Sequence, residues 1–271
     1  MTRYPGQQSL VEMIHRTGSG RGRARSGLYS IEGIRLVERA LRAGIALDAV
    51  LIAERLVASA DPRHRQLLAD LQSGTDIITA PDDVLDSLTE GRDLGPIIGL
   101  VRRPKSVTLA EVLANSASPP VFLAAVEVAD PGNVGALTRT AHASGAAALL
   151  SVGVSDPYHP RAVRISRGSL FKLPVIQYKT LSGLLVELRS HRIAPLATAA
   201  AHGTPLHEID WPQGGIAVLM GNEAQGLPSD VQSQIELSAT IPMSAGVDSY
   251  SVNAAAAIVL YALARARSRK S

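Results

Sequence analysis

Residues 121–145 read VFLAAVEVADPGNVGALTRTAHASG. The opening VFLAAVEVA is an apolar run of strand length. Pro131 and Gly132 then turn the chain, Asn133 stands where it can cap a helix, and the rest of the stretch is helical up to Gly145. A buried strand that feeds a helix through a tight polar turn is a β/α unit. Downstream the pattern repeats. AAALLSV (146–152), VIQY (175–178), IAPLATAA (193–200) and GIAVLMG (215–221) are apolar runs of the kind a buried parallel sheet uses. Helical segments alternate with them, among them HPRAVRISRGSLFKL (159–173) and LLVELRSHR (184–192), and SVNAAAAIVLYALARARSRK (251–270) closes the chain as a long Ala-rich helix. The expectation is an α/β domain over 121–271.

Upstream, strand-like LYSIEG (28–33), LDAVLIAE (47–54), TDIITA (75–80) and PIIGLV (96–101) alternate with amphipathic IRLVERALRAG (34–44), PRHRQLLADLQSG (62–74) and PDDVLDSL (81–88). Pro opens two of these helices and Gly closes two, in keeping with the usual asymmetry of helix ends. This predicts a small α/β domain over 1–105. Between the two domains PKSVTLAEVLANSASPP (104–120) reads as a linker with one short helix, placed at 106–120.

The 271 residues suit two domains, and 46% of them are hydrophobic, enough for ordinary cores. No apolar run approaches the roughly 20 residues that cross a bilayer. The opening MTRYPGQQSLVEMIHRTG lacks a signal peptide's apolar core. The chain has no cysteine, which excludes disulfides, thiolate metal sites and cysteine nucleophiles. No metal site is expected, and a reducing cytoplasm fits. Net charge is only +3, but residues 1–42 hold eight Arg against Glu12, Glu32 and Glu38. TGSGRGRARSG (17–27) reads as a flexible basic loop, and Arg21, Arg23 and Arg25 in it can follow a phosphate backbone or simply be solvated.

Three loops that follow strands of the second domain carry chemistry, and ligands of open α/β sheets bind at such carboxyl ends. The first is DPGNVGALTRTAHASG (130–145), in which Arg139 lies six residues after Asn133 and roughly 120° around the helix from it. The second, VLMGNEAQGLP (218–228), brings Asn222, Glu223 and Gln225 between Gly221 and Gly226. The third runs from TIPM (240–243) through Ser249, Ser251 and Asn253 into the last helix. Taken singly each has an ordinary structural reading: a capped helix, a strand-to-helix turn, hydroxyl caps. A GxGxxG dinucleotide fingerprint is absent.

Together, in this order, the three resemble the SpoU (TrmH-like) branch of the SPOUT methyltransferases. That family's motifs read N-x-G-x-x-x-R-T-x-x-x-x-G, G-x-E-x-x-G-L and I-P-M…S-L-N-V-S-x-A. RISRGSLFKLPV (164–175) is similar to a further family segment, and RSGLYSIEGIRLVERALRAG (25–44) to the ribosomal-protein-like substrate-binding domain often fused in front. The resemblance implies a C-terminal parallel sheet tied into a deep trefoil knot, a homodimer, and S-adenosylmethionine as methyl donor. It implies transfer to an RNA ribose 2′-hydroxyl, with rRNA, 23S in particular, favoured over tRNA by the two-domain layout. The reaction centre then falls on Asn133, Arg139 and Glu223 with Ser249 and Ser251. The cofactor side falls on Met220, Gly221, Asn222, Gly226, Ile241, Met243, Tyr250 and Val252. Arg139 is better suited to clamping a phosphate than to acting as a base, since a guanidinium does not give up its proton. The hydroxyl proton then leaves to water or to Glu223. Motif 3 departs from the family: Ser251 stands where Asn is usual, and Asn comes two residues later at 253. Two residues are about half a helical turn, so Asn253 does not simply replace it. The competing reading is an RNA- or ribosome-binding protein with this fold and no turnover.

Overall fold

In the computed structural model, which describes residues 4–71, 75–89, 95–116, 119–201, 203–228 and 233–269, the chain divides into two units. One comprises residues 1–105 with 158–171, the other 106–157 with 172–271.

The first unit begins with α1 (Gln7–Thr17) and α2 (Gly20–Ser26). It continues through β1 (Leu28–Glu32), α3 (Ile34–Arg42), β2 (Leu47–Ala53), α4 (Glu54–Val57), α5 (Pro62–Leu71), β3 (Asp76–Ala80), α6 (Asp82–Leu88) and β4 (Ile97–Arg102). The strands form one sheet in the order β1-β4-β2-β3, antiparallel except for β2 with β3. Leu10 and Ile14 of α1 meet Ala49, Leu51, Ile98 and Leu100 in a buried core, because four-residue spacing on the helix and alternation on the strands aim them at each other. The end expected for the 62–74 helix at Gly74 lies outside the described residues.

Here the structure corrects the sequence reading at residues 17–27. What reads as a loop is largely the helix α2, capped by the Ser19 hydroxyl, which accepts from Gly22 N at 3.0 Å, and closed by Gly27 in the left-handed region at φ 67°. Glycine is a poor helix former, so local propensity argues against a helix. Yet a Cβ at Gly22 would overlap the Arg16 carbonyl oxygen, so this glycine serves the close approach of α1 and α2 rather than flexibility. Arg23 is buried and donates from Nη1 to the Thr17 carbonyl at 2.6 Å, so it is part of this packing and not available to a phosphate. Arg21 and Arg25 are exposed.

The second unit contains α7 (Leu109–Ala114), β5 (Val121–Val126), α8 (Pro131–Ala143) and β6 (Ala148–Val152). After α9 (Pro160–Ile165), which belongs to the first unit, it resumes with β7 (Val175–Tyr178), α10 (Leu181–Ser190), β8 (Ala194–Ala199), β9 (Thr204–Pro205), β10 (Ile216–Met220), β11 (Leu237–Thr240) and α11 (Val252–Ser268). All seven strands pair in parallel, in the order β7-β6-β5-β10-β8-β11-β9, so β10 is inserted between β5 and β8. β5, β6 and β10 are buried almost throughout, which is why their sequences run apolar without alternation.

Residues 106–120, expected as a linker with one short helix, hold that helix as α7. Thr108 and Glu111 form a capping box on α7, and Leu109 and Val112 are buried in the second core; residues 117–118 of the stretch lie outside the described residues. Residues 158–171, expected in the second domain, pack within the first unit. Tyr158 lies 5.3 Å from the Tyr29 ring with the Arg103 guanidinium over it, Arg164 pairs with Glu32 at 2.8 Å, and Arg39 donates to the Arg167 carbonyl at 2.6 Å. Among the described residues no helix is long and apolar enough to cross a membrane.

The buried Arg23 gives a direct check on α2. Replacing it by Ala leaves the Thr17 carbonyl unmet, a loss of about 1–3 kcal/mol. Arg23→Ala therefore lowers the melting temperature, whereas Arg21→Ala and Arg25→Ala leave it unchanged; differential scanning calorimetry on the three variants tests this.

Candidate active site

β5 and β10 are adjacent and in register from Val121 opposite Ile216 to Ala125 opposite Met220. Being parallel, they open their following loops on the same edge of the sheet. The loop after β5 starts with Glu127, a non-glycine residue at φ 53°. The Glu127 carbonyl accepts from Asn222 Nδ2 at 2.9 Å, which ties the loop after β5 to the loop after β10.

Asn222 also builds its own loop. Its Oδ1 accepts from Ala224 N (2.9 Å) and Gln225 N (3.2 Å), and its backbone exchanges hydrogen bonds with Gly226 at 2.9 and 2.8 Å. The turn closes so tightly that a Cβ on Gly221 would overlap the Gly226 carbonyl carbon and Leu227 N. Gly226 itself sits at φ 70°. Residues 221–226 are thus a preformed polar loop that presents Glu223 to solvent.

The helix that carries the first motif starts earlier than its sequence suggests. Asp130, not Asn133, is the cap: its Oδ1 accepts from Asn133 N at 2.9 Å. Pro131, which needs no backbone partner, fills the first helical position, and this moves the start back. Relieved of capping, the Asn133 side chain links the other two motifs. Its Nδ2 donates to Glu223 Oε1 at 2.7 Å, and its Oδ1 accepts from Asn253 Nδ2 at 2.9 Å. Asn133, Glu223 and Asn253 thus form one hydrogen-bonded chain across α8, the 221–226 loop and α11.

The other expected residues are distributed around this chain. Arg139 is exposed on α8 and makes no hydrogen bond or ion pair with a described residue, Asn133 and Glu223 included. Ser251 caps α11, accepting from Ala254 N at 3.3 Å, while Ser249 is exposed. Met220 and Val252 are buried, Ile241 and Met243 half-buried, and Tyr250 is 43% exposed. Between residues 241 and 250 the only backbone hydrogen bond joining described residues is Val247 N to Ser244 O at 3.2 Å. That stretch therefore offers backbone donors and acceptors, with apolar side chains, to a ligand. Asn253 was missed as a site residue. Its signal was the helix phase: once Ser251 is the cap, the residue two further on lies in the first turn, where α11 packs against α8.

The model of the SpoU rRNA Methylase family matches residues 120–261, more than half of the chain, and that of the MRM3-like substrate binding domain matches residues 11–96. The chain is 29% identical over 244 residues to the 23S rRNA (guanosine(2553)-2'-O)-methyltransferase RlmP of Bacillus subtilis, covering 89% of this chain and 90% of that one. Among solved structures, an AdoMet-bound rRNA methyltransferase from Sinorhizobium meliloti is similar with a TM-score of 0.80 and 25% identity, covering 95% of this chain and 94% of the other. An RNA 2'-O ribose methyltransferase is 30% identical with a TM-score of 0.76, covering 98% of each.

The tight turn at Gly221 predicts an intolerant position. Gly221→Ala forces the 221–226 loop apart at an overpacking cost of about 1–3 kcal/mol. Denaturant unfolding is expected to show a lower midpoint than wild type, and an unchanged midpoint would mean that the loop is not closed as described.

Proposed function

We propose that this chain, which belongs to the SpoU rRNA Methylase family, transfers the methyl group of S-adenosylmethionine to a ribose 2′-hydroxyl of 23S rRNA. The observation that carries the reading is the Asn133–Glu223 hydrogen bond, which joins the first two motifs at the carboxyl edge of β5 and β10. The names of the relatives support both the substrate and the cofactor.

The residues present fit the cofactor. The closed loop 221–226 and the open backbone of 241–250 flank the same sheet edge, with Met220, Ile241, Met243, Tyr250 and Val252 as apolar surroundings. Bound there, S-adenosylmethionine supplies an electrophilic methyl group. The chain supplies position. Glu223 gives one carboxylate oxygen, Oε1, to Asn133; Oε2 has no partner among the described residues and is left to receive the hydrogen of the 2′-hydroxyl. Arg139, exposed and with no polar partner among the described residues, clamps the phosphate beside the target ribose through its planar fork. Holding the hydroxyl in line for attack is worth several kcal/mol, up to about 7–11 in the best oriented reactions.

RNA is held further by the first unit, where Arg21 and Arg25 lie exposed on α2. The reading extends to the backbone and the assembly. Insertion of β10 between β5 and β8, with β11 beyond, supports the family's trefoil knot. The face of α11 that carries Ala257, Tyr261 and Ala264 is exposed in the single chain, Tyr261 by 69%, and this supports a homodimer built on that helix. The protein then works where rRNA is, in the cytoplasm.

Light scattering at micromolar concentration is expected to give twice the 28.5 kDa chain mass; a monomer throughout would exclude the dimer. Arg139→Ala is expected to abolish methyl transfer, by at least about a hundredfold for a lost charge-stabilising contact. It is expected to leave the melting temperature and cofactor affinity by calorimetry unchanged. Arg139→Lys rescues little, because an ammonium lacks the bidentate fork. An Arg139→Ala protein that methylates rRNA at the wild-type rate removes the clamp, and a wild-type protein that neither binds nor consumes cofactor with rRNA removes the function.

A further inference from the structure

Asn133 and Asn253 can each present either end of an amide, but the group at the end of their chain cannot. A carboxylate accepts and does not donate. Glu223 Oε1 therefore requires Asn133 to turn its Nδ2 towards the 221–226 loop, where it donates at 2.7 Å. The Asn133 carbonyl end then faces α11 and requires a donor, which Asn253 Nδ2 provides at 2.9 Å. The carboxylate thus sets the direction of every bond in the chain. Conversely, the donor on α11 keeps Asn133 from turning its oxygen towards Glu223.

We propose that Asn253 is a positioning residue of the methyl-transfer centre: acting through Asn133, it fixes where the Glu223 carboxylate stands. The inference rests on the methyltransferase reading above. Two further observations support it. The capping of α11 is already done by Ser251, so Asn253 in the first turn is not needed as a cap. Its own Oδ1 is buried and accepts from no described residue. Buried polar atoms without partners are rare, and an amide kept with its acceptor unmet is kept for its donor. The departure of motif 3 from the family pattern, with an amide at 253, is on this view a different way to brace Asn133.

The isosteric Asn253→Asp separates this from a structural role. An acid in the first turn faces the positive end of the helix, so a merely structural position tolerates or gains from it. A positioning residue loses its donor and sets an oxygen against Asn133 Oδ1. With 23S rRNA as substrate, Asn253→Asp and Asn253→Ala are expected to lower kcat about tenfold, the size of a typical coupling between contacting residues. The KM for S-adenosylmethionine is expected to stay within about twofold and the melting temperature to be unchanged or higher for Asp. In an Asn133→Ala background, Asn253→Ala is expected to add no further loss. The side-chain amide resonances of Asn133 are expected to shift in Asn253→Ala, a readout independent of turnover. Wild-type kcat in Asn253→Asp, a kcat loss matched by lost stability, or penalties that multiply in the double variant would each overturn the proposal. Absence of turnover in the wild type overturns the function reading itself, and is recognised because no substitution is involved.

Discussion

The site depends on one strand pairing. β10 lies against β5 although the residues they bring together, Glu127 and Asn222, are 95 positions apart in the chain. Because the strands are parallel and in register to Ala125 and Met220, both following loops leave the sheet at the same level. Asn133, Asn222 and Glu223 are all carried by segments that leave the sheet at that edge. Glu127 is held at positive φ, a conformation that costs a non-glycine residue about 1–3 kcal/mol. It persists because both ends are fixed: its carbonyl accepts from Asn222, and its carboxylate accepts from Val154 N at 3.2 Å. The glycines at 221 and 226 let the second loop close to the height of the first. Shift the pairing by one residue and Asn133 no longer meets Glu223.

Much of this was legible in the sequence, for a stated physical reason. The strands of a sheet covered on both faces are apolar runs, and these are visible without a partner, as VFLAAV and IAVLM are. What sequence reasoning misplaced were features decided by a neighbour. The 17–27 stretch looks like a loop because glycine is a poor helix former, yet α1 packs so close that only glycine fits at 22. Arg23 looks like an exposed cation until the Thr17 carbonyl is seen to take it. Asn133 looks like a cap, and Asp130 three residues before it does that work. The 158–171 segment follows a second-unit strand in sequence but contributes Tyr158 and Arg164 to the first unit's packing. Asn253 was passed over because the family pattern directs attention to position 251. The partners of Asn253 and of the 158–171 segment lie more than a hundred residues away, and no pattern of period two or 3.6 encodes them.

The polar side chains of the site fall into two groups that differ in their commitments. Asn133, Asn222 and Asn253 are each hydrogen-bonded to side chains or backbone of other segments of the fold. Arg139, Ser249 and Tyr250 are exposed and unbonded to described residues. Under the proposed reading, the division follows from what catalysis requires of each. A group that must stand in a fixed place before the reacting atoms arrive has to be held by the fold, since reorienting it during the reaction adds to the barrier. A group that meets the substrate itself is better left without an internal partner, because any ion pair it made would have to be broken before binding. The proposed phosphate clamp belongs to the second kind, and the absence of a carboxylate beside Arg139 among the described residues is what such a cation needs. Glu223 stands between the two groups: one oxygen is fixed by Asn133 and the other has no partner among the described residues. A carboxylate held by one oxygen has its direction set without its second acceptor being spent. That arrangement suits a group which has to take a hydrogen from a hydroxyl at one defined point, and it makes the brace behind Asn133, rather than the carboxylate alone, the part of the site on which placement rests.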